Sequence, residues 1–185
     1  PLPLSREQKK EAGLPFRRPA FFLRGLRIMW NLRIWKIKDS YIRRLHEIDP
    51  RVQYNKGQRR PYVGIVLELG SVKYYAPMES PKKNHVNLKN SGPILKIDGG
   101  KLGLIGFNNM IPVQEKHLVA MDIDAEENAK YRVLLTKQIV WCNKNKETIY
   151  HRAQMVYKRA CIDKADFYLR VCCDFKKLEE ACKKL

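Results

Sequence analysis

The segment ESPKKNH, residues 79–85, places a carboxyl, a hydroxyl, two ammonium groups and an imidazole within seven positions. The Ser80 hydroxyl can hydrogen-bond a phosphate oxygen, and the ammonium groups of Lys82 and Lys83 can stabilise negative charge on it. A lysine crowded by other cations can also move protons near neutral pH, and His85 is a further candidate for that role. The segment therefore predicts either a solvated basic turn or a site where a phosphate is held and cut.

Cutting RNA without a metal would give each part of this segment a task. A base must take the proton from a 2′-hydroxyl, donors must stabilise charge at phosphorus, and an acid must protonate the leaving 5′-oxygen. Pro77 and Pro81 stiffen the loop, since each fixes its own φ and restrains the residue before it. Lys82 and Lys83 are adjacent, so we expect only one of them to face the site.

Motifs for other kinds of catalysis do not occur in the chain. It has no G-x-x-x-x-G-K-S/T loop, no G-x-S-x-G turn and no H-E-x-x-H helix. Three further histidines are isolated from one another: His46, His117 and His151. Four acidic residues follow later: Asp122, Asp124, Glu126 and Glu127. They are compatible with a magnesium site, but we interpret them as the acidic first turn of a helix. We predict no metal and no cofactor.

The composition favours a polyanionic partner. The chain has 185 residues and a formal net charge of +18, from 37 Lys and Arg against 19 Asp and Glu. A field of this sign attracts nucleic acid first and anionic membrane surfaces second. The five cysteines form no C-x-x-C pair, so we expect free, mostly buried thiols in a reducing cytoplasm. No apolar run reaches the roughly 18 residues of a membrane helix.

Residues 1–28 differ in composition from the rest of the chain. They carry seven Lys and Arg against two acidic residues, with aromatic residues among the charges in FRRPAFFLRGLR. We interpret them as a basic N-terminal extension that is disordered or not native, with a basic arm on RNA as the alternative. The globular domain is expected to span residues 29–185.

The order of the predicted elements indicates an α+β fold. Strands are predicted at LRIWKI, YVGIVLEL and VKYYAP, and a helix at residues 41–48 separates the first two. A Gly-Ser turn joins the last two strands, and a second hairpin is predicted around Asp98, Gly99 and Gly100. After Asp124 the apolar spacing becomes helical, and a last helix is expected to start at Asp174. A strongly bent antiparallel sheet or barrel with packed helices follows, with a largely helical C-terminal half.

Five segments, in this order, resemble the ToxN/AbiQ family of endoribonuclease toxins from bacterial type III toxin–antitoxin systems. They are SYIRRL, RRPYVGIVLEL, YYAPMESPKKNH, LGLIGFNNMIPV and DFKKLEEA, and the likeness covers residues 32–185. The resemblance implies a bent sheet like that of the MazF/Kid toxins. It also implies metal-independent, sequence-selective cleavage of single-stranded RNA that leaves a 2′,3′-cyclic phosphate and a 5′-hydroxyl.

The same resemblance implies partners and a biological role. The neutralising partner would be a structured RNA antitoxin that the toxin itself cuts from tandem repeats. The substrate would be cellular or phage mRNA, in phage defence by abortive infection. A closed protein–RNA hetero-oligomer and a cytoplasmic location complete the expectation.

Carried over residue by residue, the family's active groove falls on Tyr54, Arg60, Ser80 and Lys82, and His85 sits where family members can carry His. Two positions depart from the family pattern. Glu79 replaces a threonine, which puts an anion beside the phosphate site, either paired with Arg60 or turned away. Arg60 replaces a lysine, so it keeps the charge but cannot donate a proton near neutral pH. The proton work then falls on Lys82, Ser80 or His85.

Four residues are predicted to bind RNA around this groove: Lys56, Arg59, Lys83 and Tyr74. Tyr54, Tyr62, Tyr74 and Tyr75 could add base stacking where they face the groove, though some of them must belong to the core. A non-catalytic RNA-binding protein with the same basic groove is the alternative function. A membrane-surface protein using residues 16–35 is the third.

Overall fold

Seven strands and five α-helices form in the part of the chain that the computed structural model describes, residues 31–55, 57–90 and 92–185. The strands are β1 Arg33–Ile37, β2 Tyr62–Leu69, β3 Val72–Glu79, β4 Ile94–Lys96, β5 Leu104–Gly106, β6 Ile111–Pro112 and β7 Leu118–Ala120. The helices are α1 Asp39–Ile48, α2 Ala129–Lys144, α3 Lys146–Cys161, α4 Asp166–Val171 and α5 Phe175–Lys184. Short 3₁₀ turns include Lys83–Asn87 and Ile97–Gly100.

The strands form one antiparallel sheet in the order β4-β5-β3-β2-β1-β7, with β6 also paired to β3. The mixed α/β fold, the antiparallel sheet and the helical C-terminal half are confirmed. The barrel alternative is wrong, because β4 and β7 end the sheet and leave it open. The likeness to the MazF/Kid toxins stays a prediction.

Strand β3 changes partner along its length. On one side it pairs with β2 as a hairpin, as predicted. On the other side its middle pairs with β6, at Tyr74 and Tyr75, and its end pairs with β5, at Met78 and Glu79. The final residues of β3 are therefore held between β2 and β5, and the segment that follows leaves the sheet from a fixed point.

Helices α3 and α5 cover the middle of β3. The ring of Tyr74 lies edge-on to Tyr157 of α3 and to Phe175 of α5, with ring centroids 5.9 Å apart in both pairs. The hydroxyls of Tyr74 and Tyr157 both donate to Glu179 Oε1, each at 2.7 Å. One carboxylate thus joins the sheet to two helices.

Three of the four helices in the described C-terminal half were predicted from the sequence. Helices α2, α3 and α5 lie where the apolar spacing placed them, and Asp174 caps α5 by accepting from the backbone of Lys177. The short helix α4 was not predicted. None of the helices among the described residues has the length and apolar character that crossing a bilayer requires.

The four acidic residues before α2 do not form its first turn, so that interpretation is wrong. The helix starts at Ala129, and its cap is Asn128, whose side chain accepts from the backbone of Tyr131. Asp122 instead closes a turn by accepting from the backbone nitrogens of Asp124 and Ala125. No group of three or more His, Cys, Asp or Glu side chains within the described ranges is arranged to hold a metal ion.

The five cysteines are free thiols, as predicted. Cys142, Cys172, Cys173 and Cys182 are buried and Cys161 is half-buried. Burial raises the pKa of Cys142 to about 12 and that of Cys161 to about 11. These thiols therefore stay protonated near neutral pH and serve the core.

Candidate active site

The predicted catalytic segment begins at the end of β3. Glu79 is the last residue of the strand, opposite Leu104 of β5. Ser80 and Lys82 follow as exposed residues, and the 3₁₀ turn then brings His85 back against the protein, where it is buried. The backbone nitrogen of His85 donates to the carbonyl of Lys82 at 2.9 Å, which closes the loop.

The turn that contains Gly100 and Gly103 packs against the backbone of this loop. Gly103 has φ +105°, and a Cβ placed on it would lie 1.9 Å from the carbonyl oxygen of Glu79. Gly100 has φ +97°, and its Cβ would lie 3.0 Å from the backbone of His85. Two backbone segments can therefore approach each other here only because neither glycine carries a side chain.

Three of the predicted site residues meet at one carboxylate. Lys82 Nζ donates to Glu79 Oε2 at 2.9 Å, and His85 Nε2 lies 3.9 Å from the same oxygen. The Lys82 and Glu79 side chains are 63% and 36% exposed, so both remain accessible to a ligand. Glu79 therefore pairs with Lys82. It does not pair with Arg60, and it does not turn away from the site.

The charges in this cluster fix the protonation of two groups. Burial alone would raise the pKa of Glu79, but the hydrogen bond and charge of Lys82, with the charges of Arg60 and His85, hold it below its usual range. Burial lowers the pKa of His85, and the nearby carboxylate does not offset that effect. Near pH 7 Glu79 is therefore an anion and His85 is neutral.

Arg60 reaches the same region from the loop before β2. Its Nη1 donates to Gln53 Oε1 in a short hydrogen bond, and its buried Nε has no partner among the described residues. Its charge contributes to the lowered pKa of Glu79. The fixed positive charge of Arg60 can stabilise a phosphate held in this region.

A hollow of about 220 Å³ opens beside these groups. Glu79 lines it from β3, and Gln53, the partner of Arg60, lines it from the preceding loop. Asn108 and Asn109 close another part of the wall. The hollow therefore joins the carboxylate of the cluster to the residue that orients the arginine.

The other predicted site residues lie in three different settings. Tyr54 is 56% exposed but lines a neighbouring hollow and not the one beside Glu79. Arg59 and Lys83 are exposed. Lys56 lies outside the described residues.

The prediction that Tyr74 binds RNA is wrong for this structure. Tyr74 has no exposed surface, because α3 and α5 cover it and Glu179 accepts from its hydroxyl. Tyr62 and Tyr75 are each only 2% exposed, and Tyr75 packs edge-on to Trp35. Of the four tyrosines considered for stacking, Tyr54 alone presents its ring to solvent.

Sequence reasoning missed the residues that reach the site from a distance. Gln53, Asn108 and Asn109 carry no motif. Asn108 and Asn109 come close to Glu79 through the pairing of β3 with β5, and Gln53 does so from the loop before β2. Gly103 had a weak signal in the sequence, since three more glycines lie within four residues of it, at 99, 100 and 106.

Known proteins are similar to this chain in sequence and in fold. The family described as toxin ToxN of type III toxin–antitoxin systems matches residues 33–183. Endoribonuclease ToxN of Bacillus thuringiensis subsp. kurstaki is 34% identical, over 82% of this chain and 83% of its own. Endoribonuclease AbiQ of Lactococcus lactis subsp. lactis is 29% identical, over 86% of this chain and 92% of its own.

Two solved structures agree with the fold. One comes from a bacterial type III toxin–antitoxin system whose toxin is selectively inhibited by a non-coding RNA pseudoknot. That structure has a TM-score of 0.74 and 31% sequence identity, and the match covers 84% of this chain and 98% of the other. The other is AbiQ, a lactococcal anti-phage endoribonuclease, with a TM-score of 0.73 and 26% identity, covering 83% and 97%.

Fold and sequence together define an endoribonuclease toxin of the type III toxin–antitoxin class. Within that class, the chain belongs to the ToxN family. The predicted family and the predicted enzyme class are both confirmed.

Proposed function

We propose that the protein cuts single-stranded RNA by metal-independent transesterification at the cluster of Glu79, Lys82, His85 and Arg60. The observation that carries the proposal is the hydrogen-bonded pair of Glu79 and Lys82, both accessible. Glu79 lines a hollow whose wall also includes Gln53, the hydrogen-bond partner of Arg60. Such a pair supplies a proton acceptor and a proton donor side by side, and the cations supply charge for the phosphate.

Each group then has a task. Arg60 and Ser80 donate to the non-bridging phosphate oxygens, and Glu79 takes the proton from the 2′-hydroxyl. The 2′-oxygen forms a bond to phosphorus, the bond to the 5′-oxygen breaks, and Lys82 gives its proton to that oxygen. The products are a 2′,3′-cyclic phosphate and a 5′-hydroxyl. The proton then passes from Glu79 to Lys82 across their 2.9 Å contact, which restores both charges.

His85 acts in this scheme as a positioning residue. It is 2% exposed, so its ring does not reach the RNA. Its ring lies behind Glu79, 3.9 Å from the carboxylate, and its backbone closes the loop at Lys82. His85→Ala should therefore lower activity only in part.

Cleavage in the presence of EDTA tests the reaction. Purified protein with EDTA should cut single-stranded RNA, and mass spectrometry of the upstream product should show a terminal 2′,3′-cyclic phosphate. Ser80→Ala should cut far more slowly while its circular dichroism stays that of the wild type. Activity lost in EDTA and restored by magnesium would reject the mechanism. RNA that is bound but never cut would favour a non-catalytic binding protein.

The pH dependence tests the role of Glu79. Because its pKa lies below the usual value of about 4.3, the rate should fall only when the pH drops under that value. Glu79→Gln should lower the rate by about 10² to 10⁴ and abolish this acid limb. An acid limb centred near pH 6.5, the ordinary value of a histidine, would assign the base to another residue.

We further propose that the toxin acts in the bacterial cytoplasm on cellular or phage mRNA, and that a structured, repeat-derived RNA neutralises it. Residues 29–185 alone carry 30 Lys and Arg against 17 Asp and Glu, an excess of 13. A non-coding RNA pseudoknot inhibits the related toxin. The logarithm of the affinity for single-stranded RNA should fall linearly with the logarithm of the salt concentration. Each phosphate that the protein neutralises should make that slope steeper by about 0.7.

The toxin would hold the ends of the antitoxin that it has cut, so each RNA would join two proteins into a closed assembly. Co-expression with the repeat encoded upstream, followed by mass measurement of the purified complex, tests this step. A one-to-one particle would reject closure, and a protein free of RNA would reject the partner.

A further inference from the structure

A second hollow, of about 280 Å³, is connected to the one beside Glu79 by a short chain segment that contributes to both walls. Gln53 lines the first hollow, and the next two residues, Tyr54 and Asn55, line the second. Because consecutive Cα atoms are about 3.8 Å apart, one short segment forms part of both walls. A strand of RNA with its phosphate at the first hollow can therefore place a neighbouring base in the second.

The second hollow contains a buried acceptor without a donor. Asn55 is 2% exposed, and its Nδ2 donates to the carbonyl of Ile37, which fixes the orientation of the amide. Its Oδ1 accepts nothing from the described residues. A buried oxygen left without a hydrogen bond is costly, so a donor from a ligand would be stabilising there.

An aromatic ring stands beside this acceptor. The ring of Tyr54 lies against His46, with centroids 4.0 Å apart and planes at 32°, and His46 Nδ1 is held 2.6 Å from the carbonyl of Val52. More than half of Tyr54 remains exposed. A supported ring of this kind stacks well on nucleobases.

The rest of the wall suits a nucleotide. Arg43 is an exposed cation that can hold a phosphate, and Asp39 adds a second acceptor beside Asn55. One oxygen of Asp39 already accepts from the backbone nitrogen of Gln58 at 3.0 Å. The hollow thus combines a stacking face, two acceptors and one cation.

We propose that this hollow is a nucleobase subsite, in which one base of the RNA stacks on Tyr54 and donates from its amino group to Asn55 Oδ1. Adenine, guanine and cytosine carry such a group and uracil does not, so the subsite selects against uracil. The inference rests on the proposed function, since it assumes that RNA is the ligand.

Binding of RNA that cannot be cut tests the subsite on the wild-type protein. The probes are fluorescein-labelled uridine octamers with 2′-fluoro sugars, which lack the attacking hydroxyl and carry one central A, G or C. Matched probes replace that base by purine, inosine or pyrimidin-2-one, which lack the amino group. Fluorescence anisotropy should show roughly fivefold to tenfold weaker binding for at least one matched probe. Equal affinity within all three pairs would overturn the proposal.

Two variants test the stacking half. Tyr54→Ala should weaken binding of the preferred octamer roughly tenfold or more, whereas Tyr54→Phe should bind it like the wild type. Val133→Ala, at an exposed apolar residue of α2, is the matched control for removing surface. If Tyr54→Ala binds as tightly as Val133→Ala, the ring does not hold the base.

These measurements do not depend on cleavage. An amino-group preference in a protein that cuts no RNA would keep the subsite and reject the catalytic proposal. Efficient cleavage by a protein that shows no amino-group preference would keep the catalytic proposal and reject the subsite.

Discussion

Replacing Gly103 by alanine should disable the site without touching any of its side chains. The new Cβ would lie 1.9 Å from the Glu79 carbonyl oxygen, whereas real Cβ contacts begin near 3.0 Å. The turn and the end of β3 must therefore separate by at least about 1.1 Å, the difference between these distances. A displacement of about 1 Å in a catalytic arrangement can lower the rate roughly a hundredfold. The left-handed φ of +105° adds strain of about 1–3 kcal/mol.

Gly99→Ala is the matched control for this prediction. Gly99 lies in the same turn at φ +64°, and nothing is within 4 Å of its added Cβ. It should lose about 1–2 kcal/mol of stability to backbone strain and keep its cleavage rate. Initial rates on a fluorogenic RNA, with urea unfolding of each variant, separate the two effects. If Gly103→Ala cuts as fast as Gly99→Ala, close approach of this turn does not position Glu79.

Three further outcomes follow from the same structure. Lys82→Ala should abolish RNA cleavage, while Lys83→Ala, which keeps the pair of Lys82 and Glu79 intact, should cut at nearly the wild-type rate. If Lys83→Ala is the inactive variant instead, the assignment of Lys82 as the catalytic lysine is wrong. Tyr74→Phe should lower the free energy of unfolding by about 1–3 kcal/mol, because it removes a donor to a carboxylate, and leave RNA affinity unchanged; weaker RNA binding by the folded variant would return Tyr74 to the interface. Deleting residues 1–28 should leave the cleavage rate intact, and a folded but inactive truncation would make that segment part of the enzyme.

The sequence predicted most of the elements because their signals are local. The nearly continuous apolar run YVGIVLEL, rich in β-branched residues, and the Gly-Ser turn after it suffice for the hairpin of β2 and β3. Helix α4 was not predicted because it is only six residues long. It also exposes Phe167 and Leu169, so its sequence shows no apolar stripe. The closure of the sheet could not be decided, since it depends on whether two distant short strands pair.

The same division holds for the site. Glu79 and Lys82 lie three residues apart, so a contact between them was within reach of sequence reasoning. The burial of Tyr74 was not, because β3 is covered on the side of Tyr74 by α3 and α5 and on that of Tyr75 by Trp35. Alternation along a strand no longer separates inside from outside when both faces are covered.

The bond from Tyr74 to Glu179 also bears on when a newly made toxin can become active. The two residues are separated by 105 positions, so a ribosome must synthesise the chain as far as the middle of α5 before the middle of β3 is covered. Until then the strand that ends in Glu79 lacks the aromatic packing of Phe175 and has no complete core on which to order the loop. We therefore expect a nascent chain still attached to the ribosome to leave the RNA around it uncut until the C-terminal helix has emerged and docked.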